Sequence, residues 1–378
     1  MSIDGEGFSR PSARTRFAEP VDAATDRARA RWFGDICPGV AVRRPAEVGH
    51  RDAIFGTTRA VWAGHASDPR LRHVGSSGGL LSALTAWLLE SGQALRVVAA
   101  AADGEHPAVS RSVSLRSPAE VAEAAGSRYA PVSTAANPDV MLSDSAVVAK
   151  PCEASALRGL WGQRGIDPPL LLSFFCAGVP SQNATENLVR RLGLDPADLA
   201  GLRYRGHGWP GRFTATSRDG RQVGCSYQQS WGAALGPTMQ WRCKICVDGV
   251  GELSDLTAGD LWDTDDRGYP LFAEAQGVSV LIARTARGEA VARAAVDAGV
   301  IDVQPVDLSR VYAAQPYQVE RRSTLAGRLL GARLAGHPLP RYQGFGLLRL
   351  AAGHPASSLR AAAGSFRRTL RAGRGSPP

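Results

Sequence analysis

The chain has 378 residues, of which 44% are hydrophobic and 21% charged, enough to bury one large core or two ordinary ones. The formal net charge of +9 is concentrated at one end: residues 321–378 hold 11 Arg and no Asp, Glu or Lys, and the rest of the chain carries −2, which excludes a nucleic-acid-binding body. No apolar run approaches the roughly 18 residues of a membrane span, and the opening MSIDGEGFSR lacks the apolar core of a signal peptide, so the expectation is a cytoplasmic protein without a membrane span.

Residues 1 to 22 are polar and read as loose, and VDAATDRARARWF (21–33) reads as a helix. In HVGSSGGLLSALTAWLLESG (73–92), Leu80, Leu81, Leu84, Trp87 and Leu88 fall on one helical face that stops at Gly92. The preceding Gly75, Ser76, Ser77, Gly78 and Gly79 form a loop suited to a phosphate. Its glycines let backbone N–H groups converge, and the helix dipole adds positive charge. An ordinary capped helix entry is the alternative.

Strand and helix patterns then alternate. ALRVVAAAA, SAVVAK and LLLSFF read as strands; SPAEVAEAAG, CEASALRGLW and SQNATENLVRRLG read as helices. This predicts a mixed α/β fold with a largely parallel sheet flanked by helices. RFTATSRDGRQVGCSY reads as a smaller appended hairpin turning at Asp219-Gly220, and VSVLIARTARGEAVARAAVDAG as a strand followed by a helix. The segment from Val311 onward reads as a helical tail whose acid-free, Arg-rich end contributes charge more than core.

Six cysteines in a cytoplasmic chain are not a disulfide framework. Cys243 and Cys246, in QWRCKICVDGVGELSDLTAGDLWD, can supply half of a tetrahedral metal or cluster site. Cys152 and Cys176 each follow a predicted strand, so an open parallel sheet brings them to one edge. Four cysteine ligands without histidine suit an iron–sulfur centre, and a structural zinc takes the same ligands. Arg242, Lys244 and helix N-terminal amides can offset the thiolate charge. Cys225 reads as a strand residue of the hairpin.

Several separate segments, ASDPRLRHVGSSGGLLSALTAWLLESG, GSRYAPVS, AKPCEASALRGL, FFCAGVPSQNATENLVRRLG, LRYRGHGWPGRF and RCKICVDGVGELSDLTAGDLW, resemble the coenzyme F420 hydrogenase/dehydrogenase beta-subunit family in order and spacing, over roughly residues 55 to 310. The resemblance implies a cytoplasmic oxidoreductase carrying FAD and a 4Fe-4S cluster. Its redox partner would be a deazaflavin such as coenzyme F420, or ferredoxin, with a small-molecule or protein acceptor, in an arrangement that admits an oligomer. It implies a flavin phosphate loop at Gly75–Gly79 and a flavin pocket that includes Ser127, Arg128 and Tyr129. Lys150 is a candidate for a phosphate or flavin carbonyl. Cys152, Cys176, Cys243 and Cys246 are the implied cluster positions; Asp255, Gly259 and Asp260 match an acidic segment with no assigned role. Where many relatives carry a cysteine-rich module, only Cys37 stands here.

The implied organisation is an N-terminal extension (1–50), a flavin-loop region (51–140), a cluster and flavin domain (141–315) and the C-terminal extension (316–378). A redox-silent zinc scaffold of the same fold is the alternative. GHGWPG (206–211) lacks the context of a dinucleotide-binding fingerprint, because Pro210 interrupts it and a strand follows. GSSGG would make Ser77 a hydrolase nucleophile, but PRLRHV is a poor strand to precede it. His73 and His207 read as surface or capping residues.

Overall fold

A computed structural model describes residues 2–11, 22–44, 49–265, 271 and 274–372. The remaining residues, including Arg374 of the basic end and parts of the expected N-terminal extension, lie outside this description.

The core is an eight-stranded sheet. Its strands are β1 (Ala60–Ala66), β2 (Arg96–Ala102), β3 (Ser110–Leu115), β4 (Ser145–Val148), β5 (Leu170–Phe174), β9 (Leu256–Asp260), β10 (Ser279–Ala283) and β11 (Ile301–Pro305). The intervening β6 (Leu199–Arg203), β7 (Arg212–Ser217) and β8 (Gln222–Ser226) form a separate three-stranded antiparallel sheet. Strand order in the main sheet is β11-β1-β10-β9-β5-β4-β2-β3. The run β9-β5-β4-β2 is parallel, β1 shares its direction through two antiparallel steps, and β3, β10 and β11 run against it.

Apolar residues cover both faces, as an open sheet with crossover helices requires. On β5, Leu170 and Leu172 point to the face covered by α3 (Leu80–Glu90) and α8 (Ala286–Asp297), while Leu171 points to the face covered by α5 (Pro151–Arg164), where Leu157 and Trp161 are buried. The hairpin expected at Asp219-Gly220 is β7–β8, with Gly220 at φ +87°. Together with α6 (Gln182–Arg191) it encloses a second core containing Tyr204, Phe213 and Cys225. The helix expected at 21–33 is α1 (Ala23–Ile36), started by the Asp22 carboxylate accepting from the N–H groups of Ala24 and Thr25.

The Arg-rich end departs from expectation. It continues through α10 (Pro316–Ser323), α11 (Leu325–Leu334), α12 (Leu347–Gly353) and α13 (Pro355–Ala372), and it contributes core as well as charge. Leu325, Ala332, Phe345 and Ala362 are buried. The packing rests on small residues, which a search for large apolar periodicity overlooks: a Cβ on Gly327 would lie 2.1 Å from the Ser358 carbonyl oxygen, and one on Gly331 would lie 2.0 Å from that of Ala362. Gly331→Val is expected to separate α11 from α13 and cost about 1–3 kcal/mol, an overpacking penalty, read as a lower denaturation midpoint. Unchanged stability would show that the close helix contact is not formed in solution.

Candidate functional site

A cavity of about 620 Å³ opens at the carboxyl ends of β4, β5 and β9, the edge where α/β sheets place ligands, and its volume falls in the range of cofactor pockets. It is bounded by the glycine loop, by Ser127, Arg128 and Tyr129, by Lys150 and Cys176, and by Arg205, Asp260 and Trp262.

Two of the five loop amides, those of Gly75 and Gly78, bond to the protein itself. A short helix, α2 (Pro69–Val74), precedes the loop. Gly75 N–H is taken by the Leu71 carbonyl and Gly78 N–H by Ser279 Oγ at 2.9 Å. Gly78 turns away from the cavity: a Cβ there would lie 2.6 Å from the Gly64 carbonyl oxygen, so its smallness lets the loop sit on β1 and β10. Further donors belong to α3. Gly79 (φ +74°) starts that helix without a side-chain cap, and Leu80, Leu81 and Ser82 of its first turn line the cavity. First-turn N–H groups have no partner within a helix, and with the helix dipole they suit an anion such as a phosphate.

Ser76 Oγ accepts from Ser127 N–H at 2.5 Å, tying the loop to the Ser127–Tyr129 segment. Ser77 donates to the Val278 carbonyl and accepts from Ser279, each at 2.9 Å; this positions the loop and is no arrangement for a nucleophile. Arg128 donates to Ser110 Oγ and to the carbonyls of Leu202, Pro107 and Val109, so it braces the cavity wall. Tyr129 packs at 4.8 Å between ring centroids on Trp231. His73 and His207 meet edge to face, 5.5 Å between ring centres, and are not cavity-lining residues.

Sequence reasoning missed the opposite wall. The Arg205 side chain is 2% exposed and pairs with Asp260 at 2.5 Å. Its guanidinium carbon lies 4.8 Å from the ring centre of Trp209 and 4.9 Å from those of Tyr227 and Trp262, and Nη2 has no hydrogen-bond partner among the described residues. Trp209 within GHGWPG and Trp262 within TAGDLW were the available clue. Asp260 thus acquires a role as counter-ion. Asp255 is structural: it accepts from Arg158 at 2.6 Å, from Leu171 N–H at 2.8 Å and from Thr285 at 2.8 Å. Gly259 makes room for Phe175, whose ring would lie 2.4 Å from a Cβ there.

The four cysteines gather beside the cavity. Cys152 stands in the first turn of α5 after β4, and Cys176 lies two residues past the end of β5; the in-register pair Leu172–Val148 sets those strand ends side by side. Cys243 lies in α7 (Trp241–Lys244), where its sulfur accepts from Val179 N–H at 3.4 Å, and Cys246 donates to the Asp248 carbonyl at 3.1 Å. Cys176 feels the charges of Cys243, Cys152 and Cys246, and Cys152 that of Cys246. Burial raises all four thiols, Cys152 to about 11. Lys150 and Arg321 oppose this. Lys150 donates to the Val132 carbonyl at 2.7 Å, pairs with Glu153 at 2.8 Å and faces Cys152 and Cys176. Arg321 of α10 donates to the Cys176 carbonyl at 3.0 Å and faces Cys246, Cys176 and Cys243. Gly249 makes room for Arg321, whose Nη2 would collide with a Cβ there. The tail therefore supplies a compensating cation that the sequence reading assigned only to Arg242 and Lys244. Among the described residues no three His, Cys, Asp or Glu side chains are set to chelate a single ion. Cys225 lies in the separate core of β6–β8.

The family model for the carboxyl-terminal part of the coenzyme F420 hydrogenase/dehydrogenase beta subunit matches residues 142–309, and the model for its amino-terminal part matches residues 61–137. The chain is 25% identical over 301 residues to the coenzyme F420 hydrogenase subunit beta of Methanococcus voltae, covering 76% of this chain and 99% of the relative. It is 24% identical over 271 residues to the protein of the same name from Methanothermobacter thermautotrophicus, covering 67% and 87%. The fold is similar to a chain of the F420-reducing nickel–iron hydrogenase complex from Methanosarcina barkeri, with a TM-score of 0.57 at 17% identity, over 77% of this chain and 99% of that one.

Replacing Asp260 with Ala strands the buried Arg205 guanidinium and is expected to cost about 3 kcal/mol, whereas Asp260→Asn, which keeps an acceptor, should cost less. Urea denaturation distinguishes the two, and equal stability of Asp260→Ala and the unmodified protein would remove the ion pair from the account of this wall.

Proposed function

The chain belongs to the coenzyme F420 hydrogenase/dehydrogenase beta-subunit family, and on that premise we propose that it is an oxidoreductase holding FAD and one 4Fe-4S cluster. It moves electrons between reduced deazaflavin or ferredoxin and a small-molecule or protein acceptor. One observation carries this reading: Cys176 belongs to the cysteine quartet and also lines the cavity, so a cluster held by the four thiols and a flavin in the cavity would share a wall.

The residues fit both groups. The uncapped first turn of α3 would take the flavin phosphates, and the apolar and aromatic cavity would take the ring system. The four thiols would hold the cluster, with Lys150 and Arg321 balancing their charge. The four thiols interact with one another, and an all-cysteine ligand set without histidine is the one an iron–sulfur cluster takes. Bound FAD would supply the conversion between a two-electron hydride and single electrons.

The chain's own contributions are placement, charge and exclusion of water. Trp262, Tyr227 and Trp209 enclose Arg205, and Tyr129 with Trp231 closes the neighbouring wall. Arg205, fixed by Asp260, keeps positive charge beside the cavity, where it would favour an anionic form of a bound ring or substrate. The beta-subunit homologues belong to a hydrogenase and the structural neighbour to a hydrogenase complex, which favours work as part of an assembly. No described helix is long and apolar enough to cross a membrane, and reduced cysteines suit a cytoplasmic setting.

Anaerobically purified protein should contain flavin and iron, with absorption from both. Serine at position 152, 176, 243 or 246 should lower iron content, while Cys225→Ser should leave it unchanged. A colourless, zinc-containing protein would overturn the redox reading. Iron loss in Cys37→Ser but retention in Cys152→Ser would overturn the ligand assignment.

A further inference from the structure

We propose that the outward face of α11 and α13 is a docking surface for an anionic membrane. The inference does not depend on the redox reading. It concerns a segment beyond residue 309, where the family models end.

The two helices lie side by side and run the same way, since Gly327 meets Ser358 and Gly331 meets Ala362. On α13 the side packed on α11 is marked by the buried Ser358, Ala362, Ser365 and Thr369. At 100° per residue, a second stripe of Leu359, Ala363, Phe366 and Leu370 lies about a quarter turn away. Leu359 is 73% exposed, Leu370 43% and Phe366 36%. On α11, Leu330 and Leu334 are 53% and 68% exposed. They flank Gly331 along the helix, where a Cβ would lie 3.0 Å from the Phe366 backbone nitrogen, so the leucines of both helices adjoin. Contiguous exposed apolar surface of this kind marks an interaction site.

Charge selects the occupant. Arg360, Arg367 and Arg371 form an exposed row about a quarter turn beyond the apolar stripe, with Arg333 exposed on α11. No Asp or Glu follows Glu320. A second copy would set arginine against arginine with no carboxylate between them. A protein partner is ordinarily matched by a pattern of both signs, and here there is one sign only. A uniformly negative lipid surface needs no pattern. Leucine and phenylalanine beside arginines, whose long stems keep the charge at the headgroups, describe a helix lying in the interface. At 18 residues, α13 presents about 27 Å of length to such a surface.

The test is co-sedimentation of the full-length protein with phosphatidylglycerol/phosphatidylcholine vesicles and with phosphatidylcholine vesicles, at low and high salt. Binding only to the anionic vesicles, weakened by salt, is expected. Leu359→Glu with Phe366→Glu should reduce it by about tenfold or more, and Gln at Arg360, Arg367 and Arg371 together by about a hundredfold. Circular dichroism and cofactor content should be unchanged in both, since these side chains are exposed. Folded full-length protein that stays in the supernatant with anionic vesicles at low salt overturns the proposal. So does a dimer in sedimentation velocity that Leu359→Glu dissociates, or vesicle binding indifferent to both sets of substitutions; a stoichiometric acidic partner protein released by Leu359→Glu would reassign the surface to a protein.

Discussion

The Glu252 carboxylate, wholly buried, accepts from Arg44 and from Arg322, the latter at 3.2 Å. It joins three remote parts of the chain directly beneath the cysteine loop. Asp248, four residues earlier, accepts from the Val250 and Glu252 N–H groups at 3.0 Å. Arg284 donates to the carbonyls of Phe55, Thr57 and Val250. Gly56, at φ +78°, leaves room for the glutamate, since a Cβ there would lie 2.3 Å from its carboxyl carbon. Buried charges are expensive, and removing one partner of such a pair typically costs about 3–5 kcal/mol. The arrangement persists because each charge has several partners. Its consequence is a Cys246–Glu252 loop held by side chains from before and after the sheet, so the position of the CxxC is a property of the whole fold.

The same logic governs the other two cysteines. A parallel register between β4 and β5 brings any residue just past either strand to one edge. Cys152, in the first turn of α5, and Cys176, before a glycine turn, arrive there by topology alone. The glycine loop reaches the same edge by a different route, seated on β1 and β10. Thiols, uncapped helix and aromatic cage therefore converge without any long loop having to span the sheet.

Regular patterns were legible in the sequence. The apolar run of α3, the strands LLLSF and SVLIA and the turn at Asp219-Gly220 each follow from local chemistry. Strands β1, AVWAGHA, and β9, LTAGD, were not legible, because glycine, histidine and aspartate dilute their apolar pattern and only pairing with neighbours makes them strands. Cysteine spacing suggested the quartet, and the order of segments suggested the family. Arg205 and Arg321 were invisible for one reason: a buried arginine reads as a solvated one until its partners are known. Arg128 illustrates the converse: it lines the cavity as expected, yet its donors go to Ser110 Oγ and three backbone carbonyls.

The basic end of the chain is best understood as two structures in succession. Its first helix, α10, faces inward: Arg321 reaches the carbonyl of Cys176, Arg322 reaches Glu252 and the Val247 carbonyl, and Gln318 contacts both Arg321 and the Cys176 carbonyl. Without α10 the cysteine loop would lose the Arg321 cation that faces it and one side of its ionic anchor. In α11 the two uses meet: Leu325 joins Ile245, Val247 and Leu253 in one apolar cluster and Arg328 donates to the Lys244 carbonyl at 3.2 Å, whereas Arg333 and the α13 residues Arg360, Arg367 and Arg371 are exposed. Composition alone cannot separate these two uses of arginine, because burial with a carboxylate and exposure beside leucine have the same letter. The separation follows from what stands opposite each guanidinium, and it falls within α11, between Arg328 on the Lys244 carbonyl and the exposed Arg333.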